Sequence, residues 1–214
     1  MGKLADFQRH LRPGKVYRRA DLAQWSSAVD RHIQASVRDG RLVKLAGGLY
    51  SVPKPTAFGQ APADDAALIE AFLKGSPYLK VSPNLYNSLG IGLTQLYDRT
   101  IVYNHKRHGR FKLGGREFEF RIKPSLPAKL TPEFLLVDLV NNLAELGEDH
   151  STTLARVQAA ARNFPALRLR RTAESYGKVG TRKFFDQALS GSDLTKSSST
   201  MKPSTSSTQP SQPS

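Results

Sequence analysis

Glu117, Glu119 and Lys123 lie on one alternating stretch, where clustered carboxylates beside a lysine can hold a metal ion for phosphodiester cleavage. No third acid stands near them, and Phe118 and Phe120 alternate with the two glutamates as on any sheet with one solvated face. A nuclease is therefore the weakest reading open to this chain. His105 and His108 are spaced as a metal pair would be, but Lys106, Arg107 and Arg110 around them repel a cation and no carboxylate completes the set. That loop, His105, Lys106, Arg107, His108 and Arg110, is better suited to gripping a phosphate backbone or an acidic protein partner. Gly90 and Gly92 precede no strand-to-helix phosphate motif, and no cofactor, metal or catalytic set is expected.

The stronger chemical signal is attraction to polyanions. The formal net charge is +14, from 32 Lys and Arg against 18 Asp and Glu, which makes nucleic acid the leading candidate partner. Residues 1–58 alone hold 11 basic against 4 acidic residues, half of the net charge in about a quarter of the length. Within them, a helix that buries Val29, Ile33 and Val37 would turn Ser27, Arg31, Gln34 and Arg38 outward as one row. Arginine can bridge guanine and glutamine can bridge adenine in a major groove. Arg18, Arg19, Arg41 and Lys44 are placed for sequence-independent phosphate contacts. Further cations, Arg168, Arg170, Arg171, Arg182 and Lys183, lie in the terminal helices.

The elements expected to carry that row begin with a helix whose stripe is Leu4, Phe7 and Leu11, stopped by Pro13 and Gly14. An extended piece at Val16 and Tyr17 leads to a helix over 19–24. Ser26 or Ser27 can cap a third helix that runs to Asp39 and ends at Gly40. Strands over 41–45 and 49–52 flank a glycine turn, so the order is helix, helix, helix, hairpin: a winged helix-turn-helix. Pro53, Pro55, Gly59 and Pro62 predict a linker. Beyond it the patterning predicts a helix over 64–74, a strand over 78–81, a helix over 84–89, strands over 100–104, 110–113 and 117–123, and helices over 132–146, 152–163, 166–176 and 181–189. Gly114 and Gly115 make the turn between the last two strands. The expected fold is α+β, with a winged helix-turn-helix at 1–58, a mixed α+β domain at 64–189 and a disordered Ser/Thr/Pro-rich tail at 190–214. The absence of cysteine removes disulfides, thiolate zinc sites and a cysteine nucleophile. Without a membrane-length apolar run or a secretory signal, a cytoplasmic protein is expected, with no membrane partner.

Two runs resemble a known family. "IQASVRDGRLVKLAGGLYSVP" (33–53) resembles the wing region of AbiEi-type antitoxins of type IV toxin–antitoxin systems, and "SPNLYNSLGIGLTQLYDRTIVYNHKRHGRFKLGGREFEF" (82–120) is similar to the region that follows it. The resemblance covers roughly residues 1–145. It implies a winged helix that binds inverted repeats in double-stranded operator DNA and represses its own operon, and a C-terminal part that counters a nucleotidyltransferase toxin, directly or functionally. It also implies that Gly40, Leu42, Leu45, Gly48, Leu49 and Tyr50 form the wing scaffold. Members of the group often have a basic residue before the Gly-Leu-Tyr step; here Gly47 occupies that place. A second reading stays open, in which the winged helix serves only protein contact in a toxin-neutralising or scaffold protein.

Overall fold

The computed structural model describes residues 2–57, 59–93 and 95–196, without the side chains of 191–196. Among these residues two compact units emerge, one drawn from 2–88 and 95–131, the other from 89–93 and 132–196.

The first unit opens with α1 (Lys3–Arg9), which buries Phe7. β1 (Val16–Arg18) runs directly into α2 (Arg19–Ala23). Arg18 makes this junction: its backbone N–H donates to the Asp21 carboxylate at 2.9 Å, and its guanidinium pairs with the same group. α3 (Val29–Arg38) follows. Neither serine caps it, because Ala28 holds the capping position; Ser26 Oγ instead accepts from the Ala28 N–H at 3.0 Å and bonds His32 Nδ1 at 2.9 Å. Gly40, at φ +71°, ends the helix as expected, letting the N–H groups of Arg41 and Leu42 reach the Ser36 carbonyl. Phe7, Leu22, Val29, Ile33 and Leu42 form the core of these three helices, with Tyr17, Trp25, Tyr50 and Val52 packed around it.

β2 (Val43–Ala46) and β3 (Leu49–Ser51) complete an antiparallel sheet in the order β1-β3-β2. Its two faces serve different cores. Tyr17 and Tyr50 pack toward the helices, whereas Val16, Leu45, Ala46 and Leu49 pack against Leu68, Ile69, Leu73, Val102, Leu113, Phe118 and Phe120. A register shift between Lys44 and Ala46 marks where Leu45 leaves the ladder, and the Gly114 N–H donates to the Leu45 carbonyl at 3.1 Å. Residues 1–58 therefore share a core with the chain beyond them, and the compact division lies after residue 131 rather than at 58–64. The expected linker is itself partly ordered, as β4 (Lys54–Thr56) paired with β5 (Gly59–Ala61). An exposed two-stranded ribbon is mostly edge, and an edge tolerates Pro55.

α4 (Asp65–Leu73) is capped by Asp64, whose carboxylate accepts from the Ala66 N–H at 2.9 Å. β6 (Tyr78–Val81), a 3-10 turn at Pro83–Leu89, β7 (Ile101–Asn104), β8 (Gly109–Leu113) and β9 (Arg116–Ile122) follow. The sheet order is β6-β7-β9-β8, with β9 parallel to β7. β8 and β9 are the expected hairpin around Gly114 and Gly115. The insertion of β9 makes residues 105–108 cross over its end to join β7 to β8. Phe72 of α4 meets Phe111 and Phe120, each at 4.9 Å between ring centres.

The second unit is helical: α5 (Pro132–Asn142), a 3-10 turn at Leu143–Glu145, α6 (His150–Ala161), α7 (Ala166–Tyr176) and α8 (Val179–Lys196). The buried Asn141 amide donates to the Tyr176 carbonyl at 2.9 Å and accepts from the Lys178 N–H at 2.8 Å, fixing the α7–α8 turn against α5. α8 extends seven residues into the expected tail, and 197–214 lie outside the described residues. No described helix is long and apolar enough to cross a membrane.

Asp149 caps α6 by accepting from the Thr152 N–H at 2.7 Å and the Ser151 hydroxyl at 2.8 Å; hydrogen bonding from the Thr152 side chain first, then from the Thr152 N–H and Ser151, draws its carboxyl from 3.8 down to about 2. A depressed carboxyl stabilises the fold above its unfolded value and loses that effect as pH falls through its folded one. The melting-temperature gap between the wild type and Asp149→Ala should hold steady above about pH 5 and close between about pH 4 and pH 2. A gap undiminished at the acid end would mean that the carboxylate charge is not what caps the helix.

Candidate nucleic-acid interface

α3 has one enclosed face and one open one. Val29, His32, Ile33 and Ser36 are buried, a stripe at three- and four-residue steps. Diametrically opposite lie Arg31, Gln34 and Arg38, all exposed. The expected inward stripe is corrected at its end, because Val37 is 37% exposed and Ser36 takes its place. Ser36 is satisfied there: its hydroxyl accepts from the Gln8 amide at 3.3 Å and its carbonyl receives the two N–H groups after Gly40. His32, absent from the sequence reading, packs its ring 5.5 Å from Phe7. Its i+3 step from Val29 was the available signal, obscured by reading only aliphatic residues as core.

The outward row is available for contact. Among the described residues no carboxylate lies within ion-pair distance of Arg31, and Arg38 only approaches Asp39 at 3.9 Å with its side chain 82% exposed. Ser27 is exposed just before the helix.

The expected phosphate contacts are less uniform. Arg18 is half-buried and committed to Asp21, which holds that carboxyl below its ordinary range. Arg19 reaches Asp30 in a two-pronged pair, Nε to Oδ1 and Nη2 to Oδ2 both at 2.6 Å, so α2 is tied to the first turn of α3. The guanidinium lowers the Asp30 carboxyl and is itself raised. Both side chains remain more than half exposed, so a phosphate can compete for Arg19. Lys44 is exposed opposite Tyr50. Arg41, also exposed, lines an open groove of about 330 Å³ with Gln8, Leu11, Gly40, Val52 and Pro53. The hairpin tip is bare: Gly47 carries no side chain, and the Gly48 carbonyl accepts from the Arg19 N–H at 2.8 Å.

On the connection from β7 to β8 and the strand it feeds, His105, Lys106, Arg107, His108 and Arg110 are all exposed. Asn104 at the end of β7 is fully enclosed; its Oδ1 accepts from the N–H groups of Lys106 at 2.8 Å and Arg107 at 2.6 Å, and its amide donates to the Val102 and Arg107 carbonyls. Arg107 lies over the Phe72 ring at 5.2 Å. Glu119, Glu117 and Lys123 do not converge. Glu119 is held between Arg121 at 2.6 Å and Arg99 at 3.7 Å, Glu117 faces Arg110 at 4.0 Å, and Lys123 Nζ lies 4.7 Å above the Tyr103 ring. Among the described residues no group of three or more His, Asp or Glu side chains is placed to hold a metal ion. Of the helical cations, Arg168 approaches Glu133 at 4.0 Å and Arg182 donates to the Gly177 carbonyl.

No protein-family model matches the chain, and no curated protein matches it significantly. Among solved structures it is similar to the crystal structure of RV2827C protein from Mycobacterium tuberculosis, at 17% sequence identity and a TM-score of 0.55, over 87% of this chain and 74% of that one. The likeness is one of fold.

Proposed function

We propose that this chain is a DNA-binding transcriptional repressor of the cytoplasm that acts by binding rather than catalysis, its first three helices and hairpin forming a winged helix-turn-helix. The observation that carries the reading is the open face of α3, where Arg31, Gln34 and Arg38 project opposite a stripe sealed into a small core. The element order α1-β1-α2-α3-β2-β3 with strands ordered β1-β3-β2 supports it, being the arrangement that presents a third helix to a major groove. The net charge of +14 supports it too. We extend the proposal, on the sequence resemblance alone, to an antitoxin that represses its own operon at inverted repeats and counters a nucleotidyltransferase toxin.

A fluorescence-anisotropy titration of the full chain against its own upstream DNA and a scrambled duplex of equal length tests the repressor. Binding to both should weaken steeply with salt, and the upstream duplex should bind about 10³-fold tighter or more. Equal affinities would reject a sequence-reading role. Co-expression with the neighbouring reading frame tests the antitoxin: growth arrest caused by that frame should be relieved by this chain.

A further inference from the structure

We infer that the loop of residues 105–108, with Arg110 on the strand it feeds, is a second grip on the phosphate backbone of duplex DNA, distinct from α3. This rests on the reading of the chain as a DNA-binding protein, which it extends by a second contact element. From Arg99 to Arg116 the chain carries Arg99, Lys106, Arg107, Arg110, Lys112 and Arg116, with His105 and His108, and no acidic residue. The cations at the ends of this stretch are neutralised, Arg99 by Glu119 and Arg116 by Asp65 at 2.5 Å. Those in its middle are not. Among the described residues no carboxylate lies within ion-pair distance of Lys106, Arg107 or Lys112, and Arg110 meets only Glu117, at 4.0 Å with both side chains two-thirds exposed.

The backbone that carries these charges is pinned. Asn104 spends an enclosed amide on the loop backbone, taking the N–H groups of Lys106 and Arg107 and giving its own to the Arg107 carbonyl at 2.9 Å. His105 Nδ1 lies 2.7 Å from the Lys123 carbonyl, so that nitrogen carries the proton and donates, and the ring is fixed across the end of β9. The Phe72 ring beneath Arg107 restricts the guanidinium further. Adjacent like charges on a pinned backbone repel one another, and the repulsion is relieved when an anion occupies the space between them. A backbone already ordered also loses less entropy on binding.

The chemistry favours phosphates over an acidic protein. Protein interfaces concentrate their energy in buried aromatic and apolar anchors, and each residue of 105–108 is an exposed cation or imidazole. Point charges of this kind fix a protein on a duplex without reading bases.

The test uses the full chain, as wild type, as Lys106→Gln/Arg107→Gln and as Arg31→Ala/Arg38→Ala, titrated in a NaCl series against the upstream duplex and the scrambled one. Lys106→Glu alone serves as a second loop variant because it leaves Arg107 on Phe72 and the Asn104 bonds intact, and thermal melting checks that each variant folds. The loop pair should lose affinity for both duplexes by the same factor, about 10-fold at 0.15 M salt, with the slope of log K against log salt reduced by about 2. Lys106→Glu should weaken both duplexes alike. A folded loop variant with wild-type affinity and slope on both duplexes would overturn the inference, whether the loop then proves to bind an acidic protein or only water. If the α3 pair keeps full preference for the upstream duplex while the loop variants weaken both, the choice of α3 fails and the backbone grip stands.

Discussion

Arg31→Ala/Arg38→Ala should bind the upstream duplex at least about 30-fold more weakly than the wild type. A bidentate contact between arginine and a base is worth about 1–3 kcal/mol, and each 1.4 kcal/mol is tenfold in affinity, so two lost contacts span roughly 30-fold to 10⁴-fold. The effect should be larger on the upstream duplex than on the scrambled one, because base contacts separate the two sequences and phosphate contacts do not. Stability should hardly change: both side chains are exposed, and surface substitutions of this kind usually stay within about 0.5 kcal/mol. Anisotropy and a melting curve on the same preparation check both expectations. Unaltered binding by a well-folded double variant would remove α3 as the reading element.

Phe120→Ala should cost about 3–5 kcal/mol of stability, the usual loss when a fully enclosed aromatic side chain is cut back to a methyl group. Phe120 is wholly enclosed and meets Phe72 at 4.9 Å, Phe111 at 5.6 Å and Phe118 at 6.4 Å, so its removal opens a void among rings that cannot close around it. For a protein of this size the melting temperature should fall by on the order of 10 °C. The more informative part is cooperativity. Leu49 belongs to the same cluster as Phe120, while its neighbour Tyr50 packs on the three-helix core, so loosening one core should loosen the other. Circular dichroism and duplex binding, followed together on heating, should be lost in one step. Binding that outlasts the collapse of the second sheet would show that the first 58 residues stand alone.

Much of the architecture was legible because it is written in short-range signals. The Gly40 stop, the paired glycines at 114 and 115, and the alternation of Phe118 and Phe120 each act within a few residues, and each matches the structure. The open row on α3 was also legible, since Arg31, Gln34 and Arg38 fall opposite Val29 and Ile33 in any helix through them. What stayed hidden depends on distant partners. A four-residue connection such as 105–108 reads as a simple hairpin, and nothing local tells that β9 will slip between β7 and β8 and pair in parallel with β7. The commitment of Arg18 to Asp21 hides in a three-residue spacing that looks like ordinary surface charge. The resemblance places Leu45 in the wing scaffold without saying which core it serves, and the register shift beside it and the Gly114 bond turn it into the second core. Pro55 reads as a break because the sequence does not say that its strand has only one neighbour.

The central strand of the first sheet, β3, has a practical meaning for anyone wishing to study the proposed DNA-reading helices apart from the rest of the chain. Cutting the chain just behind the hairpin would leave Leu49 and Leu45 facing water where Leu68 and Gly114 had covered them. A working graft must carry α4 and the four-stranded sheet along with the helices, so the smallest transplantable cassette ends near residue 131.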